Sequence, residues 1–167
     1  GQLQTEGNYK EGIVNGYYTT YFSNGQIETK SNLIEGAKSG VFENYDSLGN
    51  LLLRGEYQSG VLHGSNIAYY TDGATKHDLT YFNGNLAGTN TYFYPTGQKE
   101  KELVIDKKSE NKIVNMYSEE GVLKKTETFF KNEPHGTWIY RDQNGVTIKT
   151  EEYQNGTLNG IVRDYYL

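Results

Sequence analysis

One period of 24 residues organises the chain of 167 residues, and it recurs seven times without an insertion or a deletion. Glycine marks this period most clearly, because three fixed places of the repeat hold 17 of the 20 glycines. A fixed period in this range is typical of stacked supersecondary units. We therefore predict one repeat array over residues 1–167, with a partial strand at 1–8 followed by repeats that start near 9, 33, 57, 81, 105, 129 and 153.

Each repeat carries two turn signals separated by extended segments. Glycine marks turns because it adopts positive φ without steric cost. Asn24-Gly25 predicts a two-residue type I′ hairpin turn, and Glu35 to Gly40 predicts a wider turn into the next repeat. Tyr, Thr and Phe between the turns favour strands. The predicted fold class is all-β, an elongated single antiparallel meander sheet built from seven 24-residue β-hairpin repeats.

The predicted hairpin turn sorts the side chains onto two faces of the sheet. It pairs Phe22 with Ile27 and Tyr21 with Glu28, which makes the first face the more apolar one. The second face carries one aromatic column, the candidate binding residues Tyr21, Tyr45, Tyr69, Phe93, Tyr117 and Tyr165. Exposed tyrosine is a contact residue of low conformational entropy, useful for protein or sugar partners. The alternative is a structural ladder in which these rings cover neighbouring repeats.

The spacing of glycines and aromatic residues is that of a known repeat. The third repeat reads Tyr57-x-x-Gly60-x-x-His63-Gly64-x-x-x-x-Tyr69-x-x-x-Gly73. This pattern resembles the MORN repeat (membrane occupation and recognition nexus), and more closely its bacterial variant. The resemblance covers all seven repeats. It implies a scaffold, a dimerisation surface or an occasional lipid contact, and the bacterial variants include antitoxin components and exported proteins.

Charge and composition argue against several classes of partner and of site. The net charge of −5 argues against nucleic acid and against anionic membrane lipid, since both reward clustered Lys and Arg. It is compatible with a basic protein partner. The chain has no cysteine, which excludes a disulfide framework and cysteine-ligated zinc. Because it begins with glycine rather than methionine, we expect an extracytoplasmic protein (periplasm or cell surface) with its export signal removed, in preference to a cytoplasmic one.

The histidines and paired carboxylates that could form a catalytic or metal site are better interpreted as structural or solubilising residues. His63 and His135 occupy the same place of the repeat, three repeats apart, and we interpret them as turn residues rather than as a metal or acid–base site. Glu100 and Glu102 share a strand face, as paired glycosidase carboxylates would, but charges on such strands ordinarily serve solubility. No nucleophile motif or phosphate loop is present. We predict no enzyme activity, no catalytic residues, no metal and no cofactor.

These observations leave three hypotheses of function open. The first is a non-enzymatic repeat scaffold that mediates protein–protein interaction through one sheet face. The second, implied by the resemblance, is an antitoxin or immunity component that binds a basic toxin. The third is a module that binds a cell-envelope glycan or a lipid headgroup.

The fifth repeat departs most from the pattern, and we expect it to be the least stable part of the array. Lys108 and Lys112 replace two of its glycines, and the segment between them is polar. In a linear array a weak interface opens locally before the whole chain melts. Limited trypsin digestion should therefore cut first between Lys107 and Lys112. Native-state hydrogen exchange that finds these amides as protected as the flanking strands would contradict this expectation.

Overall fold

The computed structural model describes residues 1–166, and in these residues it contains strands and turns but no helix. The chain divides into two compact units, Gly1–Leu86 and a second that begins at Ala87. The strands of the first compact unit are β1 (Thr5–Lys10), β2 (Ile13–Tyr21), β3 (Ile27–Ile34), β4 (Ala37–Lys38), β5 (Gly40–Tyr45), β6 (Leu51–Gln58), β7 (Val61–Tyr69), β8 (Thr75–Phe82) and β9 (Asn85–Leu86). Those of the second are β10 (Gly88–Phe93), β11 (Lys99–Asp106), β12 (Asn111–Tyr117), β13 (Leu123–Phe130), β14 (Glu133–Pro134), β15 (Gly136–Arg141), β16 (Thr147–Gln154) and β17 (Thr157–Asp164).

Within each compact unit, successive strands pair in an antiparallel meander. In the first unit β1 pairs with β2, β2 with β3, and so on through β9. β3 pairs with both β4 and β5, because a short interruption divides one extended segment in two, and β13 pairs in the same way with β14 and β15. The predicted all-β fold class, an antiparallel meander of β-hairpin repeats, is confirmed.

The two turns of the repeat have exchanged the types predicted for them. The tight type I′ turn lies where the wide turn was predicted, and a longer loop lies where the type I′ turn was predicted. The type I′ turn lies at Glu35-Gly36, where Ile34 pairs with Ala37 and both central residues have positive φ, 49° and 81°. The same pair of positive φ angles recurs at Glu11-Gly12, Ser59-Gly60, Asn83-Gly84, Lys131-Asn132 and Asn155-Gly156. The wide turn predicted over Glu35 to Gly40 is therefore wrong.

The turn at Asn24-Gly25 is a longer loop. The Gly25 N–H donates to the Phe22 carbonyl at 2.9 Å, and Gly25 alone has positive φ, 86°. This is a type I turn closed by a left-handed glycine, the usual three-residue hairpin loop. Because such a loop needs positive φ only at the glycine, Leu48 and Glu120 are tolerated at the preceding position in other repeats.

The longer loop changes the register next to it. Tyr21 pairs with Ile27, not with Glu28 as predicted, and the strand pair has a bulge at this point. The same bulge recurs at Tyr45, which pairs with Leu51. Each residue of the predicted aromatic column from Tyr21 to Tyr117 therefore sits where its strand enters a glycine-closed loop.

The glycine column that contains Gly64 and Gly160 forms bulges within the sheet and not turns. In the β6–β7 pair, Tyr57 faces Leu62 while Gly55 faces Asn66, so the single residue Glu56 lies opposite three residues of β7. Gly64 is the middle one of these three and has a φ of 82°. The left-handed backbone is thus built into the strand pairing itself.

The fifth repeat lacks this bulge and has a longer loop instead. Asp106 pairs with Asn111 across a four-residue loop, and the register then continues unbroken to Lys101 and Met116. Two extra loop residues replace the two extra bulge residues, so the 24-residue period survives without the glycines. The Asp106 carboxylate accepts hydrogen bonds from Ser109 Oγ at 2.7 Å and Lys108 N at 2.9 Å, which hold the pKa of Asp106 below its ordinary value.

Buried side chains concentrate on one face of each compact unit, which we call the core face. In β3 the residues of this face, such as Thr29 and Leu33, are half-buried while their neighbours are exposed. A single place of the repeat supplies half of the buried residues, namely Phe42, Asn66, Asn90 and Val114. The first face is therefore the more buried one, as the sequence pattern indicates.

We predict that Gly64→Val lowers the free energy of unfolding by roughly 2 kcal/mol or more. Valine disfavours positive φ, and a Cβ at this position would lie 2.8 Å from Glu56 Oε2. The matched control is Asp78→Val, which places valine at an exposed position of β8, where a surface change costs at most about 0.5 kcal/mol. Equal melting temperatures for the two variants would contradict the need for a left-handed residue at position 64.

Candidate functional site

Five of the six predicted binding residues lie at strand ends and are half-buried. Tyr21, Tyr45, Tyr69, Phe93 and Tyr117 end β2, β5, β7, β10 and β12 respectively. Tyr165 lies just beyond β17 and is 46% exposed. We call the face opposite the core face, which carries these side chains, the column face.

Neighbouring carboxylates hold two of the column hydroxyls in place. Tyr45 Oη donates to Glu43 Oε2 at 2.6 Å, and burial together with this hydrogen bond raises the pKa of Tyr45 to about 12. Tyr21 Oη donates to Glu6 Oε2 at 3.0 Å, and Tyr17 Oη donates to the other oxygen of Glu6 at 3.2 Å. The hydrogen bond to Glu6 raises the pKa of Tyr21 above its ordinary value. These phenols are fixed as neutral donors with their rings on the sheet surface.

Open depressions of the first compact unit adjoin two of these rings. One of about 220 Å³ is lined by Arg54, Gly55, Glu56, Ser65, Ile67 and Tyr69. A second, of about 320 Å³, is lined by Asn50, Leu51, Tyr69, Thr71, Asp72 and Gly73. Tyr69 therefore stands between two depressions that combine a ring with charged and polar groups. Tyr21 lines a third depression of about 530 Å³.

The core face of the second compact unit carries a cluster that the sequence analysis missed. The register places Lys101, Met116, Lys125, Tyr140 and Lys149 in one row across the strands. We call this row the lysine–tyrosine ladder. Lys125 Nζ lies 4.7 Å from the ring centroid of Tyr140 and 2.6 Å from Glu127 Oε1. The three lysines are 24 residues apart, so the repeat period is the signal that could have found them.

Glu151 is the polar centre of this cluster. Glu151 is 8% exposed, and it lies at the place of the repeat that Leu79, which is 5% exposed, occupies three repeats earlier. Its carboxylate accepts from Lys149 Nζ at 2.7 Å, Tyr140 Oη at 2.7 Å and Tyr153 Oη at 3.0 Å. The hydrogen bond from Lys149, followed by that from Tyr140, lowers the pKa of Glu151 to about 2. The repeat thus accommodates a carboxylate at a leucine position by surrounding it with donors.

The β-hairpin geometry of the repeat agrees with the family model that the sequence matches. The family model described as MORN repeat variant matches residues 14–34, which run from β2 through β3. The predicted resemblance is confirmed on this segment, and the same period and hairpin geometry recur along the chain. No curated protein matches the chain.

Two of the three histidines pack against phenylalanine rings. The His63 ring centroid lies 5.2 Å from that of Phe82, and the His135 centroid lies 5.7 Å from that of Phe130. Both Nδ1 atoms are buried and lack a hydrogen-bond partner among the described residues. Within residues 1–166 no three metal-binding side chains come together, and no helix has the length and apolarity to span a bilayer.

We predict that Glu151→Gln removes much of the acid sensitivity of the fold. The pKa of Glu151 is lowered from 4.5 to about 2 on folding, so its contribution is complete above pH 4.5 and disappears as the pH falls to 2. Wild type should lose stability over this window, while the variant should start lower at pH 7 and lose less. Urea unfolding at pH 7, 4.5, 3 and 2 measures the difference.

The matched control for this experiment is Glu127→Gln. Glu127 occupies the same place one repeat earlier, and its carboxylate pairs with Lys125 Nζ at 2.6 Å. This variant should keep the steep acid response that Glu151 causes. An acid response of Glu151→Gln identical to that of wild type would show that other groups govern the acid stability.

Proposed function

We propose that this chain is a non-enzymatic repeat scaffold that binds another protein through its column face. The observation that carries the proposal is the placement of Tyr69 between two open depressions, with further fixed aromatic rings at the same place of other repeats. Tyrosine is enriched among the residues that dominate binding energy at protein interfaces. A ring held on a rigid strand loses little entropy when a partner covers it.

The core face is less suited to this role. Its rings are already packed together, as in Trp138, whose ring centroid lies 4.5 Å from that of Tyr153 and 5.5 Å from that of Phe129. Phe42 and Tyr57 pack in the same way at 4.8 Å. Such contacts stabilise the sheet and leave the rings less area for a partner.

The negative charge of the chain favours a partner with a basic surface. The chain carries a net charge of −5, and Glu6 and Glu43 lie beside rings of the column face. Complementary charge on the partner would speed association and set its orientation. A basic toxin has this chemistry, so the antitoxin hypothesis is one specific form of the proposal. Glycan and lipid-headgroup binding remain alternatives that the experiment separates.

A photo-reactive amino acid placed on each face tests the proposal. p-Benzoyl-phenylalanine at position 69 should cross-link a protein partner in the native host, while the same residue at position 57 on the core face should not. Mass spectrometry then identifies the partner. Equal cross-linking from positions 57 and 69, or binding to glycans or vesicles with no cross-linked protein, would contradict a protein partner on the column face.

Binding of the identified partner should depend on the column rings. Replacing both Tyr45 and Tyr69 with alanine should weaken binding about tenfold or more, since truncation of a central interface residue typically costs over 1 kcal/mol. The matched control removes Tyr18 and Tyr57 from the core face. If the control weakens binding as much, at equal folded fraction, the column face is not the interface.

A further inference from the structure

Four large apolar side chains of the first compact unit are exposed beside its type I′ turns. Each lies immediately before or after one of these turns and is between 44% and 55% exposed. We call them the apolar strip, and they are Ile13, Ile34, Val61 and Phe82.

The strand pairing places the apolar strip on the column face. Leu33 lies on the core face, so its neighbour Ile34 points to the opposite side of β3. Val61 pairs with Gln58, the neighbour of the core-face residue Tyr57. The strip therefore runs along the turn edge of the same face that carries the aromatic column.

Glycine in the turns leaves these side chains uncovered. A Cβ placed on Gly36 would lie 3.3 Å from Ile13 Cγ2, and one on Gly84 would lie 3.9 Å from Val61 Cβ. The side chain that follows one turn therefore lies over the glycine of the next turn. The positive φ of these glycines, 81° and 77°, disfavours a larger residue there. The apolar atoms above them stay accessible to a partner.

The repeat does not require apolar residues at these places. In the second compact unit, the residue pairs that flank the turns at this edge are Asp106 and Asn111, Phe130 and Glu133, and Gln154 and Thr157. Five of these six residues are polar, and the same strand pairing forms. Because the fold accepts polar residues here, the exposed apolar strip of the first unit indicates a binding surface.

Carboxylates lie beside one end of the apolar strip. An open depression of about 340 Å³ is lined by Lys10, Glu11, Ile13, Asn15 and Glu35. Lys38, which follows the second turn, lies over a core-face ring instead, with its Nζ 5.2 Å from the ring centroid of Tyr57. The depression thus joins an apolar wall to two carboxylates and one ammonium group, which leaves an excess of negative charge.

We propose that the apolar strip receives an apolar segment of the protein partner, and that a Lys or Arg of this segment lies over Ile13 and pairs with Glu11 and Glu35. The stem of such a side chain packs on apolar surface while its charged end meets a carboxylate. Apolar burial supplies affinity, and the charge pair orients the segment. The proposal rests on the proposed function, because it names the chemistry of the partner segment and extends the contact to the turn edge of the same face.

Peptide display tests the chemistry of the segment. A phage library of random short peptides is selected on the wild-type chain after depletion on the Ile34→Ser/Phe82→Ser variant. The selected peptides should combine Leu, Ile, Phe or Trp with Lys or Arg. A synthetic peptide of the selected sequence should bind this variant about tenfold or more weakly than wild type, as measured by fluorescence anisotropy.

A charge reversal and a matched control complete this experiment. Glu35→Lys should weaken binding of the same peptide several-fold at low salt and less at high salt. Lys131 occupies the equivalent place two residues before Glu133, so the turn accepts lysine. The control is Leu158→Ser, which removes a side chain that is 52% exposed on the core face of the second compact unit and should bind like wild type. Circular dichroism checks that the variants are equally folded.

Three outcomes of the display experiment would overturn the proposal. The first is a selection that yields no peptide, or only acidic or wholly polar peptides. The second is binding that Ile34→Ser/Phe82→Ser leaves unchanged. The third is an equal loss of binding in Leu158→Ser.

Cross-linking in the native host separates this proposal from the proposed function. Ala37 is exposed and pairs with Ile34, so p-benzoyl-phenylalanine at position 37 leaves the strip intact. It should cross-link the same protein as position 69. Cross-links from position 69 alone would overturn the strip as a binding surface and leave the proposed function standing. A cross-link from position 37 to a second copy of the chain would also overturn the proposal, and no cross-link from either position would contradict both.

Discussion

Positive backbone φ at fixed places of the period is the constraint on which the rest of the structure depends. Left-handed residues make the type I′ turns, the bulges within the sheet and the glycine-closed loops. Each of these changes the register of the strands beside it. The fifth repeat replaces its bulge with two extra loop residues, so that Lys101 still faces Met116. The period is therefore a property of strand register, and glycine is one way to maintain it.

Constant register places equivalent residues in rows, and these rows stabilise a sheet that has no thick core. Leu79 is buried at the position that Glu151 occupies three repeats later. Lys149, Tyr140 and Tyr153 satisfy that carboxylate, so a polar network replaces apolar packing. A sheet that buries one face partially can accept such an exchange, because long side chains supply both the donors and the cover.

The aromatic residues on the two faces of the sheet have different surroundings. On the core face rings contact rings, as Trp138 does with Tyr153, and the aromatic area is used in stabilising the fold. On the column face the rings stand beside carboxylates and open depressions.

The sequence by itself determined the period, the all-β class, the hairpins and the more buried face, because glycine spacing and alternation act locally. It placed the column from Tyr21 to Tyr117 on one face, but it did not determine the turn types. Asn24-Gly25 favours a type I′ turn in isolation, whereas the structure pairs Tyr21 with Ile27 and lengthens the loop. Only the tertiary structure decided this register and brought Glu151 to its three donors. Both depend on which residues face each other across strands, and that pairing is not visible along a single strand.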